Sequence, residues 1–507
     1  MKYNPITAVW EITMMCNMRC KHCGSICENA LPDELTTEEA LDLCDQIADL
    51  GLEYITLSGG EPTTRKDWYK LVARLRKNNV VPNLISNGWM IDEEFAKKAV
   101  EAGIGTVAIS IDGVKETHDY IRRSGSYEKS MKAYKVLAQH GIWTASITTL
   151  NKKNLKELEN LKEELINAGV KSWQLQIGLP MGNLSKNSEL VIDQSDIDEI
   201  INFAYDNLSD NRIRIYFGDC IGYYDFRVKE VMERSLNSQK YIWQGCTAGK
   251  RSLGILQNGD ILGCTSIREK SYIEGNVRER SLREIWEDND KFSWNRNLKK
   301  EDLKGVCSKC LYGDVCLGGC SNTRLCMEKS IYSENKYCVY NYKVNQQREK
   351  VKIFNDINDL YHAALNIIEK KQYQIAEVLM ERALQIDDKN VNILNLNGFI
   401  NFKLGNYKIA REMNERVLQI DSNNVYALKG LGITLSKLGE LDKGIKYLKK
   451  SMSLTDEKFM DPYYDAALIL IERDRYNEAR EILIEAKNKS EDFLKINYEL
   501  YEKLKIS

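Results

Sequence analysis

The sequence has almost no excess of charge of one sign, and it has no long apolar run. Its 507 residues include 72 Lys and Arg against 74 Asp and Glu, a formal net charge of -2. A chain so balanced has no overall field that would draw it to nucleic acid or anionic lipid. No apolar stretch reaches the roughly 20 residues that cross a bilayer, and Met1 to Pro5 lack the apolar core of a signal peptide. The sequence therefore predicts a cytoplasmic protein without nucleic-acid or membrane partners.

Cysteine, in contrast, is abundant, with 14 residues in the chain. Disulfides are rare in the reducing cytosol, so these thiols are expected to remain reduced. Clustered cysteines in a long chain without an export signal more often bind metal. The sequence therefore predicts metal sites wherever the cysteines are grouped.

The pattern of apolar residues and the cysteine content divide the chain into three regions. Residues 1–215 alternate short apolar runs with amphipathic helical patterns, which is typical of a parallel sheet with right-handed crossovers. Six such units predict an α/β fold, a partial (β/α)6 TIM-like barrel with its function at the carboxyl ends of the strands. Residues 216–345 are rich in cysteine and have weak periodicity, so metal is expected to replace part of a core in this small domain. The predicted strands are Ala8–Thr13, Tyr54–Ser58, Pro82–Ser86, Thr106–Ile111, Thr144–Thr149 and Ser172–Ile177.

Residues 346–507 are helical and repetitive. Similar pairs recur at spacings of 34, 34 and 35 residues, at Tyr373/Ala376, Tyr407/Ala410, Leu441/Gly444 and Tyr476/Ala479. Small residues at fixed helical positions let two helices pack closely, and a period of 34 is that of tetratricopeptide (TPR) repeats. The region therefore resembles four such repeats, an all-α TPR-like solenoid with a concave groove. A plain helical bundle is the alternative.

The first cysteine group directly follows the first predicted strand. Cys16, Cys20 and Cys23 are spaced so that three thiolates can meet in one tight loop. A [4Fe–4S] cluster normally takes four thiolates, so three would leave one iron open to a substrate or cofactor. A zinc site is the alternative, although tetrahedral zinc usually takes paired Cys-x-x-Cys or His ligands. His22, between two of the cysteines, is a further candidate ligand.

This Cys-x3-Cys-x2-Cys pattern after a first strand resembles the signature of radical S-adenosylmethionine (SAM) enzymes. The resemblance implies that the open iron of the cluster binds SAM. It also implies that SAM is cleaved to a 5′-deoxyadenosyl radical, which removes a hydrogen atom from the substrate. An accessible iron site is sensitive to oxygen, so we expect an anaerobic pathway.

Further segments match this family in order and spacing, each at the end of a predicted strand. The Gly-Gly-Glu-Pro segment resembles the one that holds the methionine amino group, where glycines let the backbone approach and a carboxylate pairs with an ammonium. Segments after the third and fourth strands resemble those near the SAM ribose. Arg122 resembles the arginine that meets the SAM carboxylate, with Arg123 as the alternative. The implied cofactor-binding residues are Gly59, Gly60, Glu61, Pro62, Ser86, Asn87, Ser110, Asp112 and Arg122.

Seven more cysteines form a second group, in the order Cys-x12-Gly-x4-Cys, then Cys-x2-Cys-x5-Cys-x3-Cys, then one more after 17 residues. This order resembles the SPASM domain, and the resemblance implies two auxiliary [4Fe–4S] clusters. Zinc knuckles are the alternative for the Cys-x2-Cys part. The first cluster would be held by Cys246, Cys264 and Cys320, and the second by Cys307, Cys310, Cys316 and Cys338.

Four cysteines lie outside these motifs. The first auxiliary cluster lacks a fourth ligand within its motif, and Cys220 is the candidate; a vacant iron that binds substrate is the alternative. Cys44 lies on an amphipathic pattern and is expected in the core. Cys27 and Cys326 are expected to be spare thiols near the clusters.

Relatives with such auxiliary clusters act mostly on peptides or proteins. The resemblance therefore implies a radical SAM peptide maturase that forms a thioether or carbon–carbon crosslink in a ribosomally made precursor, with an electron donor such as flavodoxin or ferredoxin. Maturation of a cofactor or of a folded partner enzyme, of the haem or sulfatase type, is the second hypothesis, and a non-catalytic TPR scaffold is the third. Thr265 stands where sulfatase maturases carry Asp, which argues against formylglycine formation.

Recognition of a precursor is expected to come from the repeats, because no winged recognition domain precedes Cys16. A solenoid groove suits a helix or an extended chain. Candidate contacts, which would otherwise only solvate an exposed face, are Asn395, Asn397, Asn401 and Lys403.

No residue stands out as a catalytic acid or base. Gln174 and Gln176 alternate on the sixth predicted strand and would point into the barrel. There they would contact SAM or substrate, or be buried amides whose hydrogen bonds are satisfied within the protein.

Overall fold

The computed structural model describes residues 3–218, 221–223, 225–235, 241, 243–310 and 312–504. The chain forms two compact units. The first comprises Met1–Ser308 with Tyr312–Tyr342, and the second comprises Lys309–Leu311 with Lys343–Ser507. The predicted boundary at residue 215 therefore falls inside the first unit.

Within the described residues, the strands of the first unit form one ten-stranded sheet. Its order is β10-β9-β8-β1-β2-β3-β4-β5-β6-β7, with β1 to β7 parallel, β8 parallel to β1, and β8, β9 and β10 antiparallel. The strands are β1 (Thr7–Thr13), β2 (Tyr54–Gly59), β3 (Val81–Ser86), β4 (Thr106–Ser110), β5 (Trp143–Leu150), β6 (Ser172–Ile177), β7 (Arg214–Phe217), β8 (Ser252–Ile255), β9 (Asp260–Leu262) and β10 (Ile273–Asn276).

All six predicted strands are present, and each differs from its predicted bounds by no more than one residue at either end. The sheet is nevertheless larger than predicted. Strand β7 extends one edge, and β8 to β10 of the cysteine-rich region extend the other. The α/β fold with a parallel sheet is confirmed, and the cysteine-rich region contributes to the same sheet.

Helices connect the parallel strands and cover one face of the sheet. Those of the parallel-strand region are α1 (Thr37–Leu50), α2 (Trp68–Lys77), α3 (Glu93–Ala102), α4 (Lys115–Ile121), α5 (Ser126–Gln139), α6 (Leu158–Asn167), α7 (Asp196–Asp206) and α8 (Phe226–Ser235). Those of the cysteine-rich region are α9 (Leu282–Glu287), α10 (Ser293–Arg296), α11 (Gly305–Lys309), α12 (Gly313–Cys316), α13 (Ser321–Glu328) and α14 (Val339–Val351).

Helix α1 shows how local sequence sets these elements. Thr36 caps its first turn in a capping box with Glu39, and Gly51 ends it in the left-handed conformation at φ 91°. Leu43, Cys44 and Ile47 are fully buried on its inner face, at helical spacing. The prediction that Cys44 is a core residue is confirmed.

The two faces of the parallel strands differ in chemistry. On β1, Ala8, Trp10 and Ile12 pack into the core beneath the helices. Successive side chains of a strand point to opposite faces, so Glu11 lies on the opposite face, which is called the inner face below. This inner face is where the polar residues of β1 and β6 gather, and it leads to the site.

The second unit consists of helices α15 (Ile357–Glu369), α16 (Tyr373–Ile386), α17 (Val391–Lys403), α18 (Tyr407–Ile420), α19 (Val425–Lys437), α20 (Leu441–Leu454), α21 (Asp461–Ile471), α22 (Tyr476–Lys489), α23 (Glu491–Ile496) and α24 (Tyr498–Lys503). From α15 to α22 each helix packs against the next. Helix α19 also contacts α17 and α21, as expected for a stack of helix pairs.

The structure repeats with the period seen in the sequence. Helices α16, α18, α20 and α22 begin at the repeated Tyr or Leu, and the residue before each has φ between -92° and -80° and ψ between 56° and 59°. A Cβ on Gly432 would lie 2.8 Å from Gly444 O, so the small residues do permit close helix packing. The assignment of these pairs to tetratricopeptide repeats stays a prediction.

Two predicted groove contacts are wrong. Asn397 and Asn401 are buried, and Asn401 Nδ2 donates a hydrogen bond to Asn397 Oδ1 at 2.6 Å. Both lie on the packed side of α17, where Asn397 Nδ2 also contacts Met413 Sδ at 3.8 Å and Asn401 Oδ1 accepts from Asn406 Nδ2 at 3.1 Å. Asn395 is half-buried, and Lys403 is exposed, with its Nζ 5.5 Å from the centre of the Phe399 ring.

Within the part of the chain that the structure describes, no helix combines the length and the apolar character needed to cross a membrane.

Candidate functional site

The loop after β1 carries Cys16, Cys20 and Cys23, and other loops hold it by hydrogen bonds to its backbone. Cys16 N donates to Glu28 O at 3.1 Å. The loop after β6 also binds it, because Asn183 Nδ2 donates to Cys20 O at 3.0 Å and Asn183 N donates to Cys23 O at 2.8 Å. The three thiols are therefore fixed at the carboxyl ends of the parallel strands, where the sequence predicted them.

The three thiols of this loop differ in their surroundings. Burial raises the pKa of Cys20 to about 12, whereas a hydrogen bond from the Cys27 thiol lowers the pKa of Cys23 to about 5. None of them forms a disulfide, and Cys16, Cys20 and Cys23 lie close enough for their thiolate charges to interact. Among the described residues, no three His, Cys, Asp or Glu side chains are arranged to hold a single metal ion. Three neighbouring thiols on one loop fit a [4Fe–4S] cluster with one iron left open.

Two glycines let the end of β2 lie directly against this loop. A Cβ on Gly59, which has φ 130°, would lie 2.2 Å from Thr13 O. A Cβ on Gly60 would lie 2.4 Å from Met15 O, and Gly60 N donates to Thr13 O at 2.8 Å. Any side chain here would push the cysteine loop away from the sheet, which is the physical reason for the Gly-Gly pair.

Glu61 is buried at 1% exposure and is bonded within the protein. Its Oε1 accepts from Thr63 Oγ1 at 2.6 Å and Ser86 Oγ at 2.9 Å, and its Oε2 accepts from Asn87 N at 2.7 Å. Burial raises the pKa of this carboxyl. Glu61 thus ties the turn that begins at Pro62 to the end of β3, and its contact with the SAM ammonium stays a prediction.

Asn17, inside the cysteine loop, is the point at which two further predicted residues converge. Asn87 Nδ2 donates to Asn17 Oδ1 at 2.7 Å, and Arg123 Nη1 donates to Asn17 O at 3.0 Å. The Arg123 guanidinium also lies 4.1 Å from the centre of the Trp89 ring. These contacts make Arg123 a support of the loop.

Asp112 is fully buried at the centre of a charged group beyond β4. Its Oδ2 is paired with Arg122 Nε and lies 2.7 Å from His22 Nε2, while its Oδ1 accepts from Thr149 N at 2.8 Å. Burial works to raise the pKa of Asp112, but the charges of Arg122 and His22 outweigh it and hold the pKa well below its usual range. His22 thus directs Nε2 at this carboxylate, and Ser110 closes β4 two residues earlier.

The structure connects most of the predicted cofactor-binding residues to the cysteine loop, through Asn17, His22 and the Gly-Gly backbone, whereas Ser110 is shown only to end β4. Their direct roles in binding SAM stay predictions. The set is Gly59, Gly60, Glu61, Pro62, Ser86, Asn87, Ser110, Asp112 and Arg122.

Gln174 and Gln176 lie on the inner face of β6, opposite the core residues of that strand. Gln174 Nε2 donates to Gln176 Oε1 at 3.3 Å, and Gln176 Nε2 donates to Thr149 Oγ1 at 3.1 Å. Both are half-buried, so these hydrogen-bonded amides form part of the inner face of the sheet.

Sequence reasoning missed a partly buried ion pair on the same face. Arg268 Nη2 is paired with Glu11 Oε1 and donates to Ser25 Oγ at 2.6 Å. Arg268 follows Cys264 closely, so this pair links the second cysteine group to the first. Among the described residues, Glu11 Oε2 and Arg268 Nε have no partner. The one available signal was an acidic residue within the otherwise apolar β1.

The second cysteine group spreads over the short elements of the cysteine-rich region. Cys246 precedes β8, and Cys264 follows β9. Cys307 lies on α11, Cys316 ends α12, Cys320 caps α13 and Cys338 precedes α14, while Cys310 lies between α11 and α12. Cys220 lies outside the described residues.

A buried cation lies among these thiols. Arg324 on α13 is fully buried, and its charge interacts with Cys307, Cys246 and Cys320. Among the described residues its Nε has no hydrogen-bond partner. A buried guanidinium beside several thiolates fits negatively charged iron–sulfur clusters, which would balance its charge.

Two family profiles match the parts of the chain described above. Residues 10–165 match the radical SAM superfamily, and residues 246–311 match SPASM, an iron–sulfur cluster-binding domain. The chain belongs to the radical SAM superfamily. It is an enzyme with a [4Fe–4S] cluster that binds SAM and with auxiliary iron–sulfur clusters in a SPASM domain. The predicted cofactors are confirmed, and the SPASM match favours iron–sulfur clusters over zinc.

Particular relatives differ in what they make. The AdoMet-dependent heme synthase of Methanosarcina barkeri is 30% identical over 348 residues, which cover 66% of this chain and 97% of that protein. Mycofactocin maturase MftC of Mycolicibacterium smegmatis is 27% identical over 319 residues, which cover 62% of this chain and 78% of that protein. Streptococcus suis SuiB bound to S-adenosylmethionine has a similar fold, with a TM-score of 0.53 at 18% identity over 66% of this chain and 77% of SuiB.

Proposed function

We propose that this enzyme is a peptide maturase, which forms a thioether or carbon–carbon crosslink in a ribosomally made precursor. The observation that carries the proposal is the helical second unit. Neither family profile extends beyond residue 311, and about a third of the chain has no counterpart in the heme synthase, which is matched over 97% of its length. A stack of helix pairs suits the binding of a peptide.

The surface of this second unit offers anchors for an apolar peptide segment. Phe399 on α17, Tyr426 on α19 and Tyr464 on α21 are 42%, 58% and 38% exposed. All three lie on the first helix of their pair. Lys429, one turn after Tyr426, pairs with Asp461 at 2.9 Å, so charge flanks the aromatic surface. Aromatic side chains are common anchors in binding surfaces.

Within the first unit the bound SAM cluster would supply a 5′-deoxyadenosyl radical. The residues of the chain set where it acts, because Cys16, Cys20 and Cys23 are fixed at the carboxyl ends of the strands. The amides of Gln174 and Gln176 would orient a substrate on the inner face by hydrogen bonds. Thioether formation removes two hydrogen atoms from a peptide, one as a hydrogen atom and one as a proton and an electron. An electron acceptor is needed for the second, and the auxiliary domain suits that role.

A second candidate function is the maturation of a tetrapyrrole. The observation in its favour is the 30% identity to the heme synthase over nearly all of that protein. This alternative gives the helical second unit no part in substrate binding.

The test uses the full chain, reconstituted anaerobically, with SAM and reduced flavodoxin. One arm offers a pool of synthetic linear peptides that each contain one cysteine, and the other offers an iron porphyrin with carboxylate side chains. The proposal expects peptides that have lost two hydrogen atoms, formed together with 5′-deoxyadenosine. Turnover of the porphyrin with untouched peptides would replace the proposal with the second candidate.

Variants of the second unit test its part in recognition. Phe399→Ser with Tyr426→Ser should raise KM for a modified peptide while the SAM cleavage rate without substrate is unchanged. Ile420→Ser is the matched control, since Ile420 is 52% exposed but lies on α18, the second helix of its pair. An unchanged KM in the double variant would remove the second unit from substrate binding.

A further inference from the structure

Arg324 is a buried cation with few hydrogen bonds. It lies on α13, one turn after Cys320, and is 0% exposed. Its Nη1 donates to Ile331 O, and its Nη2 donates to Ser321 Oγ at 3.1 Å. Among the described residues, no partner lies within reach of its Nε. A guanidinium with five N–H donors is thus left short of acceptors in a dry environment.

The charge of Arg324 also needs a partner. A buried ion pair that loses one member costs several kcal/mol, so an isolated buried guanidinium is not stable on its own. Its two hydrogen-bond acceptors are a carbonyl and a hydroxyl, and within the described ranges it forms no ion pair with a carboxylate. Cys320 caps the same helix one turn earlier, and Gly318, two residues before Cys320, lies against the guanidinium. The charges of Cys307, Cys246 and Cys320 favour the charged form of Arg324.

These three cysteines do not belong to a single predicted cluster. Cys246 and Cys320 are ligands of the first auxiliary cluster by the SPASM resemblance, and Cys307 is a ligand of the second. Gly318 makes room for the guanidinium, since a Cβ at this position would lie 3.0 Å from Arg324 Cζ. The backbone there has φ 76°, which glycine adopts freely.

A second connection runs beside Arg324. Cys320 N donates to Tyr223 Oη at 3.1 Å, and Asn335 Nδ2 donates to the same oxygen at 2.9 Å. Asn335 N in turn donates to Cys307 Sγ at 3.5 Å. Tyr223 and Asn335 therefore join the backbone of a first-cluster ligand to the sulfur of a second-cluster ligand. These hydrogen bonds fix the two ligands relative to each other, close to the guanidinium.

We propose that Arg324 is a counter-charge shared by both auxiliary clusters and that it raises the reduction potential of each. A four-iron cluster held by thiolates is negative, and reduction adds one more negative charge. A cation fixed beside it in a low-dielectric interior favours the reduced form over the oxidised form. Arg324 acts through the clusters and is a positioning residue. The inference rests on the assignment of the cysteines to two clusters and is independent of the substrate.

The experiment is a potentiometric titration followed by electron paramagnetic resonance. It is done in the Cys16/Cys20/Cys23→Ala background, so that only the auxiliary clusters contribute to the signal. Arg324→Met removes the charge and keeps a long side chain, and Arg324→Lys keeps the charge. Lys329→Met is the matched control, because Lys329 carries the same charge at the end of α13 but is exposed. Iron and labile sulfide are measured on each protein.

We expect the ratio of reduced to oxidised cluster at a fixed potential to fall about tenfold for both clusters in Arg324→Met, which corresponds to about 59 mV for a one-electron couple. Arg324→Lys should restore part of the shift, and Lys329→Met should cause none. Loss of auxiliary iron in Arg324→Met but not in Arg324→Lys would also support a counter-charge.

Three results would overturn the proposal. They are full iron content with unchanged potentials in Arg324→Met, equal loss of iron in the Met and Lys variants, and a shift confined to one cluster. A parent protein with one auxiliary cluster would remove the shared role itself, without bearing on the peptide substrate.

Discussion

At the scale of single residues, the site depends on buried carboxylates whose hydrogen bonds are made inside the protein. Glu61 joins the end of β2 to the end of β3, and Asp112, which follows β4, joins the cysteine loop to β5. A buried carboxylate is costly unless it is paired and hydrogen-bonded. Both residues meet that condition through the hydrogen bonds described above, and these bonds hold the strand ends and the cysteine loop together.

The first prediction concerns Asp112→Asn. This change keeps the shape of the side chain but leaves the buried Arg122 without its ion-pair partner. We expect the free energy of unfolding to fall by about 3–5 kcal/mol, measured by urea unfolding. Asp49→Asn is the control, since Asp49 pairs with Arg283 at a side-chain exposure of 68%, and its loss should cost about 1 kcal/mol or less. Equal losses would mean that the buried pair contributes no more than a surface pair.

The same variant gives a pH dependence. The pKa of Asp112 in the folded protein lies below its ordinary value of 3.8, so its ionised form stabilises the fold. This contribution is fully present above about pH 4 and is lost as pH falls towards the folded-state pKa. The difference between the parent and Asp112→Asn should therefore decrease as the pH falls from about 5 to 3, measured by urea unfolding. A difference that stays the same over that range would contradict a stabilising role of the ionised carboxylate.

At the scale of elements, the contact between β2 and the loop after β1 matters most for the site. It is made by backbone atoms alone, and it depends on two positions without side chains. Strand register places these segments side by side, with Glu11 opposite Ser58. Contacts with the end of β2 therefore fix the backbone of the cysteine loop relative to the sheet.

Gly60→Ala tests this contact. The new methyl group would lie 2.4 Å from Met15 O, so the loop must move. Overpacking of this kind costs about 1–3 kcal/mol, and we expect SAM binding to weaken by roughly tenfold or more, measured by equilibrium dialysis. Gly51→Ala is the control, because Gly51 has φ 91° and nothing within 4 Å of its Cβ; it strains the backbone without displacing the loop. Unchanged SAM binding in Gly60→Ala would contradict the role of this contact.

At the scale of the whole molecule, a measurement of iron content tests both cysteine groups at once. One SAM cluster and two auxiliary clusters predict about 12 irons in each chain after anaerobic reconstitution. Cys16/Cys20/Cys23→Ala should lower this to about eight, measured with labile sulfide. Cys44→Ala, which changes a buried core thiol, should leave the count unchanged. About four irons falling to none would mean that the second group holds no four-iron cluster.

Much of the fold could be read from the sequence, since it depends on local patterns. The predicted strand Ser172–Ile177 has the bounds that the structure gives it, and Cys44 is buried on a helix, as its amphipathic pattern predicted. Alternation and helical spacing decide which face of such an element is buried, and these are properties of neighbouring residues. Strands β7 to β10 were missed because three or four residues are too few for a clear period.

The sequence by itself determined the cysteine groups, the strand-end motifs and the period of the helix pairs, because each is a matter of spacing along the chain. Only the tertiary structure decided which side chains meet. Glu11 and Arg268 are 257 positions apart, and Asp112 and His22 are 90 apart. The position of Arg324 near cysteines of both predicted auxiliary clusters likewise depends on tertiary packing. No local rule records such contacts, because they arise when separate elements of one sheet and its loops are packed together.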